Sequence, residues 1–181
     1  MILFFGPVGA GKSVQGKLLA ARHDWKWVST GEIFRASTDP GVKELLNQGH
    51  LIDDETTHKV LQDALEKLHD QEHIILDGFP RNEDQTKWLL EKLPSLGRKL
   101  VMAIVLEVPD EETIERLTKR GRHDDTPEAI KRRLDIYYNQ VNPVIDYLAE
   151  KGVPVARVDG TGKVGEIHDR VEDEVQKCLP A

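Results

Sequence analysis

The feature that most constrains this chain is the segment Gly6-Pro7-Val8-Gly9-Ala10-Gly11-Lys12-Ser13. It fits the phosphate-binding loop pattern, in which two glycines bracket four residues and Lys and Ser follow. The apolar run 2–5 precedes it, as expected of a strand buried on both faces, and a helical pattern starts at Gly11. Glycines let backbone N–H groups wrap a phosphate, and the helix N-terminus adds its positive end. The segment therefore predicts a nucleoside triphosphate site.

Two side chains at the end of this loop carry specific expectations. We expect Lys12 to reach the β- and γ-phosphates and the Ser13 hydroxyl to ligate magnesium. A glycine-rich turn formed by chance is the alternative interpretation. The strand before the loop and the helix after it argue against that alternative.

Strand and helix patterns alternate along the rest of the chain. Further strands are predicted at residues 27–28, 73–76, 101–106 and 153–158, with helical patterns between them. Thr126 and Pro127 are typical of an N-cap and a first helical residue, and Pro143 is expected to break or restart that helix with Asn142 as a second cap. Such alternation predicts a parallel sheet covered by helices on both faces, in one α/β domain over residues 1–181.

Composition excludes several classes of function. A net charge of −7 argues against a nucleic-acid partner, although a few arginines can still be focused in one cleft. Cys178 is the only cysteine, so we expect no internal disulfide and no cysteine-based zinc site. No apolar run approaches membrane-spanning length. We therefore expect a cytoplasmic protein. We also expect Trp25, Trp27 and Trp88 to pack against other side chains of the protein and not to stack on a base.

Successive segments resemble the signatures of the adenylate kinases and related nucleoside monophosphate kinases. In chain order they are 29–35, 49–52, 76–81 with Gln85, Arg116, Arg120, 122–125, 133–134 and 158–161. The resemblance covers essentially the whole chain. It implies a three-layer P-loop NTPase fold with a central five-stranded parallel sheet, a helical segment at 29–58 that binds the monophosphate, and a minimal lid at 120–126.

The resemblance also implies the reaction and its participants. The expected activity is reversible phosphoryl transfer from MgATP to AMP, giving two ADP and serving nucleotide homeostasis. Short-lid relatives are commonly monomeric, and we expect the same here. Because the acceptor phosphate is itself the nucleophile, no general base is needed.

Residue roles follow by the same resemblance. The ATP side would be formed by Gly9, Ala10, Gly11, Lys12, Ser13, Val14, Arg116, Gly160, Thr161 and Gly162. The AMP side would be formed by Thr30, Arg35, His50, Leu51, Ile52, Gly78, Phe79, Pro80, Arg81, Gln85, Arg122 and Arg133. Lys12, Arg81, Arg120, Arg122 and Arg133 would act on the transferring group. Magnesium would be held by Ser13 and, through water, by Asp77, with no zinc site.

Some positions leave alternatives open. The lid is shorter than in the short-lid relatives, and Asp124-Asp125 either hold lid arginines or simply precede the helix at Thr126. Arg132 is expected to be solvated. An asparagine directly after Arg81, here Asn82, resembles the pattern of the UMP/CMP kinases. Thr30 and Gln85 instead favour adenine as the base.

Three other functions compete with the adenylate kinase interpretation. A UMP/CMP kinase would use the same mechanism on a different base. A kinase for a non-nucleotide metabolite would not need the arginine and glutamine set of the AMP side. A nucleotide-gated interaction factor with slow ATPase activity is compatible with the reduced lid.

Overall fold

A five-stranded sheet forms the centre of the computed structural model, which describes residues 1–178. The strands are β1 (Ile2–Phe5), β2 (Lys26–Ser29), β3 (Ile74–Asp77), β4 (Met102–Glu107) and β5 (Val155–Asp159). They are all parallel, in the order β2-β3-β1-β4-β5. The predicted strands and the α/β class are confirmed. The last strand begins after Pro154, which has no amide hydrogen to donate to the sheet.

Helices lie between the strands and cover both faces of the sheet. They are α1 (Lys12–His23), α2 (Thr30–Arg35), α3 (Pro40–Asn47), α4 (Asp54–Glu66), α5 (Glu83–Ser95), α6 (Asp110–Arg120), α7 (Pro127–Ile136), α8 (Asn142–Glu150) and α9 (Val164–Cys178). The last three residues of the predicted domain lie outside the described residues.

Two large apolar clusters cover the two faces of the sheet, and a third, small cluster of Leu117, Ile130 and Leu134 joins α6 to α7. Side chains alternate along β1, so Leu3 and Phe5 join one cluster while Ile2 and Phe4 join the other. The first cluster contains residues of α4, α5 and α8, and the second contains residues of α1 and α9. Burial on both faces explains why β1 is a continuous apolar run.

The helical region around Pro143 departs from the prediction. Thr126 caps α7 as predicted, with its Oγ1 accepting from the N–H of Ala129 at 3.2 Å. Asn142 is not a side-chain cap, and the chain stays helical through a π-helical turn, Tyr137–Val141, into α8. The N–H of Asn142 donates to the carbonyl of Tyr137, five residues earlier. This wider turn accommodates Pro143, which cannot donate to the carbonyl four residues before it.

The tryptophans pack against protein side chains, as predicted. Trp27 meets Phe4 edge to face, Trp88 stacks on His58 with ring centroids 4.3 Å apart, and Trp25 stacks on His73. Within residues 1–178 no helix has the length and apolar character needed to cross a bilayer.

The contact between α1 and Trp27 predicts an unusual effect of a glycine substitution. A Cβ on Gly16 would lie 1.9 Å from the Trp27 ring. Alanine is ordinarily favoured over glycine in a helix by about 1 kcal/mol, but forcing a core ring to move costs about 1–3 kcal/mol. We therefore expect Gly16→Ala to lower the free energy of unfolding, measured by urea denaturation.

Gly165→Ala in α9 is the matched control, because a Cβ there would meet nothing within 4 Å. It should leave stability unchanged or raise it slightly. A Gly16→Ala protein as stable as Gly165→Ala would contradict the packing described for Trp27.

Candidate active site

The phosphate-binding loop connects the end of β1 to the start of α1. Gly9 has φ +85°, and a Cβ there would lie 2.7 Å from the carbonyl oxygen of Thr113. No other residue type fits this backbone position without strain. The motif thus lies between a strand and a helix, as the sequence predicts.

The Lys12 ammonium lies inside the curve of the loop. Its Nζ donates to the carbonyls of Gly6 at 2.8 Å and Pro7 at 2.9 Å. The pKa of Lys12 lies below its ordinary value, chiefly because of burial. Arg81 lowers the pKa further, while Asp77 opposes the shift. The site therefore holds a half-buried cation whose charge is incompletely compensated by the described residues.

A cavity of about 470 Å³ opens at the carboxyl ends of β1 and β3. Its walls contain seven cationic side chains: Lys12, Arg35, Arg81, Arg116, Arg120, Arg122 and Arg133. Asp77 is the single carboxylate among the described residues that line it. We refer to it as the cation-lined cavity. Ligands of open parallel sheets bind at this edge, where the order of the strands reverses.

The two carboxylates before α7 hold two of these arginines. Asp125 accepts from Arg120 Nε at 2.9 Å, and Asp124 accepts from an Arg133 terminal nitrogen at 2.8 Å. Arg133 also donates to Asp125 at 3.2 Å. Burial acts to raise the pKa of Asp124, but pairing with Arg133 outweighs it and the pKa lies below its ordinary value. Of the two alternatives for Asp124-Asp125, the structure shows the one in which they bind the arginines.

Two other arginines face the cavity without protein partners. Among residues 1–178, neither Arg35 nor Arg122 makes a side-chain hydrogen bond or ion pair, and both line the cavity. Arg81 donates its Nε to the carbonyl of Gly78 at 2.7 Å. Burial lowers the pKa of both Arg35 and Arg81, and the nearby Arg133 adds to the shift in each. These guanidinium groups are available to an anion.

The predicted ATP side lies at one end of the cavity. The lining residues there include Gly9, Ala10, Gly11, Lys12, Ser13, Val14, Arg116 and Gly162. Arg116 pairs with Glu112 and donates to the carbonyl of Gly160 at 2.8 Å. Gly160 and Thr161, which were also predicted for this side, do not line the cavity. Arg116 also donates to the carbonyl of Ala10 at 3.4 Å, so it connects the phosphate-binding loop to the loop after β5.

The predicted AMP side adjoins a second, narrower pocket. Its walls include Thr30, Gly78, Arg81, Gln85, His50, Leu51 and Ile52. Residues 50–52 lie in the loop between α3 and α4, Arg81 lies in the loop after β3, and Gln85 lies in α5. Phe79 and Pro80 line the main cavity beside Gly78. Thr30 donates its Oγ1 to the carbonyl of Gly78 at 3.0 Å, which ties α2 to the loop after β3.

Asp77 and Ser13 supply oxygen atoms at the point where β3 and α1 meet. One carboxylate oxygen of Asp77 accepts from Ser29 Oγ at 2.9 Å. The other oxygen is buried and has no hydrogen-bond partner among the described residues. Both Asp77 and Ser13 line the cavity. A carboxylate and a hydroxyl beside a phosphate site suit Mg²⁺, which takes oxygen ligands and keeps several waters.

The end of helix α3 contacts α7 through two arginines. One of them is Arg132, which the sequence interpretation wrongly expected to be simply solvated. Arg133 donates to the carbonyl of Leu46 at 2.9 Å, and Arg132 donates to that of Gln48 at 3.0 Å. Arg132 is half-buried, and the carbonyl that it binds belongs to Gln48, the C-cap residue of α3, where backbone carbonyls need partners from outside the helix. Gly49 allows this approach, since a Cβ there would lie 2.8 Å from the carbonyl oxygen of Ala129.

Asn82 also has a role that the sequence interpretation missed. Its Oδ1 accepts from the backbone N–H of Gln85 at 2.8 Å and so caps α5. Its Nδ2 donates to Asp54 at 3.1 Å. An Asn followed three residues later by Gln is a helix-start pattern, and this signal was present in the sequence. Both ends of the Asn82 amide are therefore bound within the protein.

The fold and the cation-lined cavity define the chain as a P-loop nucleotide-binding protein. The adenylate kinase family model matches residues 4–153. The adenylate kinase of Micrococcus luteus is 38% identical, covering 99% of this chain and 92% of its own length. The adenylate kinase of Porphyromonas gingivalis is 37% identical, covering 97% of this chain and 95% of its own length. The adenylate kinase of Thermus thermophilus is 34% identical, covering 94% of this chain and 94% of its own length. The chain belongs to the adenylate kinase family.

Proposed function

We propose that this chain transfers the γ-phosphoryl group of MgATP to AMP in a reversible reaction that gives two ADP. The observation that carries the proposal is the gathering of seven cations around one cavity, in a chain of net charge −7. The phosphate-binding loop lines this cavity, and the pocket that contains Gln85 adjoins it, since His50, Gly78 and Arg81 line both. Two nucleotides joined through their phosphates fit such an arrangement.

The phosphates of ATP bind the loop that includes Gly9, Gly11 and Lys12. Lys12 exchanges the carbonyls of Gly6 and Pro7 for the β- and γ-phosphates, which supply the charge that its half-buried ammonium lacks. Arg116 lies against the ATP base, and it is fixed by Glu112 and by the carbonyl of Gly160.

The α-phosphate of AMP binds between Arg35 and Arg81. The forked donors of a guanidinium suit a phosphate, and Arg35 has no other partner among residues 1–178. Gln85 and Thr30 then contact the base in the narrow pocket, beside Leu51 and Ile52. The adenine interpretation is preferred over UMP or CMP because Asn82, which suggested a pyrimidine, is occupied as a helix cap.

Phosphoryl transfer needs no covalent intermediate. An oxygen of the AMP α-phosphate attacks the γ-phosphorus and forms a P–O bond, while the bond from γ-phosphorus to the β–γ bridging oxygen breaks. The electron pair stays on the terminal β-phosphate oxygen of the departing ADP. Arg120, Arg122 and Arg133 neutralise the charge on the transferring group, and Asp124 and Asp125 fix two of these three arginines.

The remaining expectations from the family resemblance are part of the proposal. Ser13 and Asp77 would hold magnesium, Asp77 through water, and the ion would neutralise charge on the β- and γ-phosphates. Residues 29–58 close over AMP, residues 120–126 serve as the lid, and closure excludes water. The monomeric state, the cytoplasmic location and the lack of a nucleic-acid partner stay predictions.

The dependence of ATP consumption on the added monophosphate tests this function. We expect AMP to raise the rate of ADP formation, in a coupled assay, far above the rates with UMP, CMP or GMP. A preference for UMP or CMP would contradict the assignment of Gln85 to adenine. Hydrolysis that no monophosphate accelerates would contradict the kinase function and favour a nucleotide-gated interaction factor.

Removal of Arg122 tests the assignment of the phosphoryl site. Because Arg122 is exposed and unpaired, Arg122→Ala should leave the free energy of unfolding nearly unchanged. An arginine at the transferring group is worth about 10³–10⁵ in rate, so kcat should fall about 10³-fold or more. Arg157→Ala removes the same charge from an exposed pair with Glu107 and is the control, with kcat unchanged. Near-normal turnover of Arg122→Ala would contradict the assignment.

A further inference from the structure

Asp54 lies beside Asn82, the N-cap residue of the neighbouring helix α5, and beside Gln85 in its first turn. It is the first residue of α4, and its carboxylate accepts from Gln85 Nε2 at 2.7 Å and from Asn82 Nδ2 at 3.1 and 3.2 Å. In residues 1–178 these two amides are its hydrogen-bond partners. Asp53, not Asp54, caps α4 through the N–H of Thr56 at 2.8 Å. The Asp54 carboxylate is thus directed at α5 and does not serve its own helix.

The Gln85 amide is held in one orientation by two protein contacts. Its Nε2 donates to Asp54, and its Oε1 accepts from the backbone N–H of Arg81 at 2.8 Å. Rotating the amide by 180° would set its oxygen against the carboxylate and its NH₂ against an N–H donor. A carboxylate accepts only and a backbone N–H donates only, so both contacts become repulsive in the rotated form. The order of donor and acceptor on Gln85 is therefore fixed before a ligand binds.

Half of the hydrogen-bonding capacity of this amide remains for a ligand. An amide offers two N–H donors and two acceptor lone pairs, and the protein uses one of each. Gln85 is buried at 2% exposure and lines the narrow pocket with Thr30 and Ile52. A buried donor and acceptor left without partners are costly, so the base that satisfies both is favoured.

We propose that Asp54 is a positioning residue that sets the base specificity of the monophosphate pocket through Gln85. The inference rests on the proposed function of this pocket. Adenine offers a donor at its 6-amino group and an acceptor at N1. Hypoxanthine, which has nearly the same shape, offers an acceptor at the 6-oxo group and a donor at N1. A Gln85 amide whose orientation is fixed can form both hydrogen bonds with one of these bases only. An amide that is free to rotate can form both hydrogen bonds with either base.

Asn82 supports this arrangement from the other side. Its Oδ1 caps α5 at the N–H of Gln85, and its Nδ2 binds both oxygens of Asp54. The carboxylate is held in place by one amide while it orients the other. The three side chains thus form a chain from the helix cap to the pocket, and each contact has a defined donor and acceptor.

The test compares AMP with IMP as ligands of the wild-type protein and of Asp54→Asn. Dissociation constants are measured by isothermal titration calorimetry, and KM values for AMP and ATP by steady-state kinetics. Asparagine keeps the shape of Asp54 but can also donate, so only the N–H of Arg81 still opposes rotation of the Gln85 amide and the second orientation becomes less costly. We expect the ratio of the IMP to the AMP dissociation constant to fall about tenfold or more. KM for AMP should rise, and KM for ATP should not change.

Asp53→Asn is the matched control, because it removes the neighbouring charge and keeps a good N-cap. It should retain the wild-type ratio. Asn82→Ser is the second variant, since serine still caps a helix but cannot hold Asp54, and it should shift the ratio in the same direction. Thermal melting confirms that each variant is folded.

One result would overturn the proposal: a folded Asp54→Asn protein whose ratio stays within twofold of wild type. This includes an equal loss of AMP and IMP binding, which a merely structural role would produce. Failure of the proposed function is recognised separately, because the wild-type protein would then show neither AMP-dependent turnover nor AMP binding.

Discussion

Mutual repulsion among the cations of the cation-lined cavity is the constraint that the surrounding structure must satisfy. Removing a positive charge from water is costly unless the charge is paired. This cost, together with repulsion from nearby arginines, lowers the pKa values of Lys12, Arg35 and Arg81. Carboxylates at the margin and carbonyls at helix ends offset part of this repulsion. The remainder would be offset by the phosphates of the proposed ligands, so such a site could bind anions although the protein has a net negative charge.

The elements around the cavity are arranged to hold these charges in place. The parallel sheet brings the loop after β1 and Asp77 at the end of β3 to one edge. Helix α7 connects both sides, since Arg133 binds the carboxylate of Asp124 and a carbonyl of α3. Only residues 121–126 lie between α6 and α7. The same contacts therefore fix the charges and hold α7 against the end of α3.

Much of this arrangement could be predicted from the sequence, because local patterns determine it. The glycine loop, the buried run 2–5 and the cap at Thr126 each depend on neighbouring residues only. The contacts of Arg132 with Gln48 and of Asp54 with Gln85 join residues far apart in sequence, and no local pattern reveals them. The π-helical turn before Pro143 was not predicted either, because a proline usually ends a helix, whereas here the wider turn accommodates it.

The stoichiometry of ADP binding tests the central claim most directly. If the cation-lined cavity and the pocket beside it hold two nucleotides at once, calorimetric titration of the wild-type chain with ADP and magnesium must give two ADP per chain. The measurement does not depend on turnover, so it separates the architecture of the site from its catalytic rate. A stoichiometry of one, at concentrations well above the dissociation constant, would contradict the account and leave a nucleotide-binding protein with a single site.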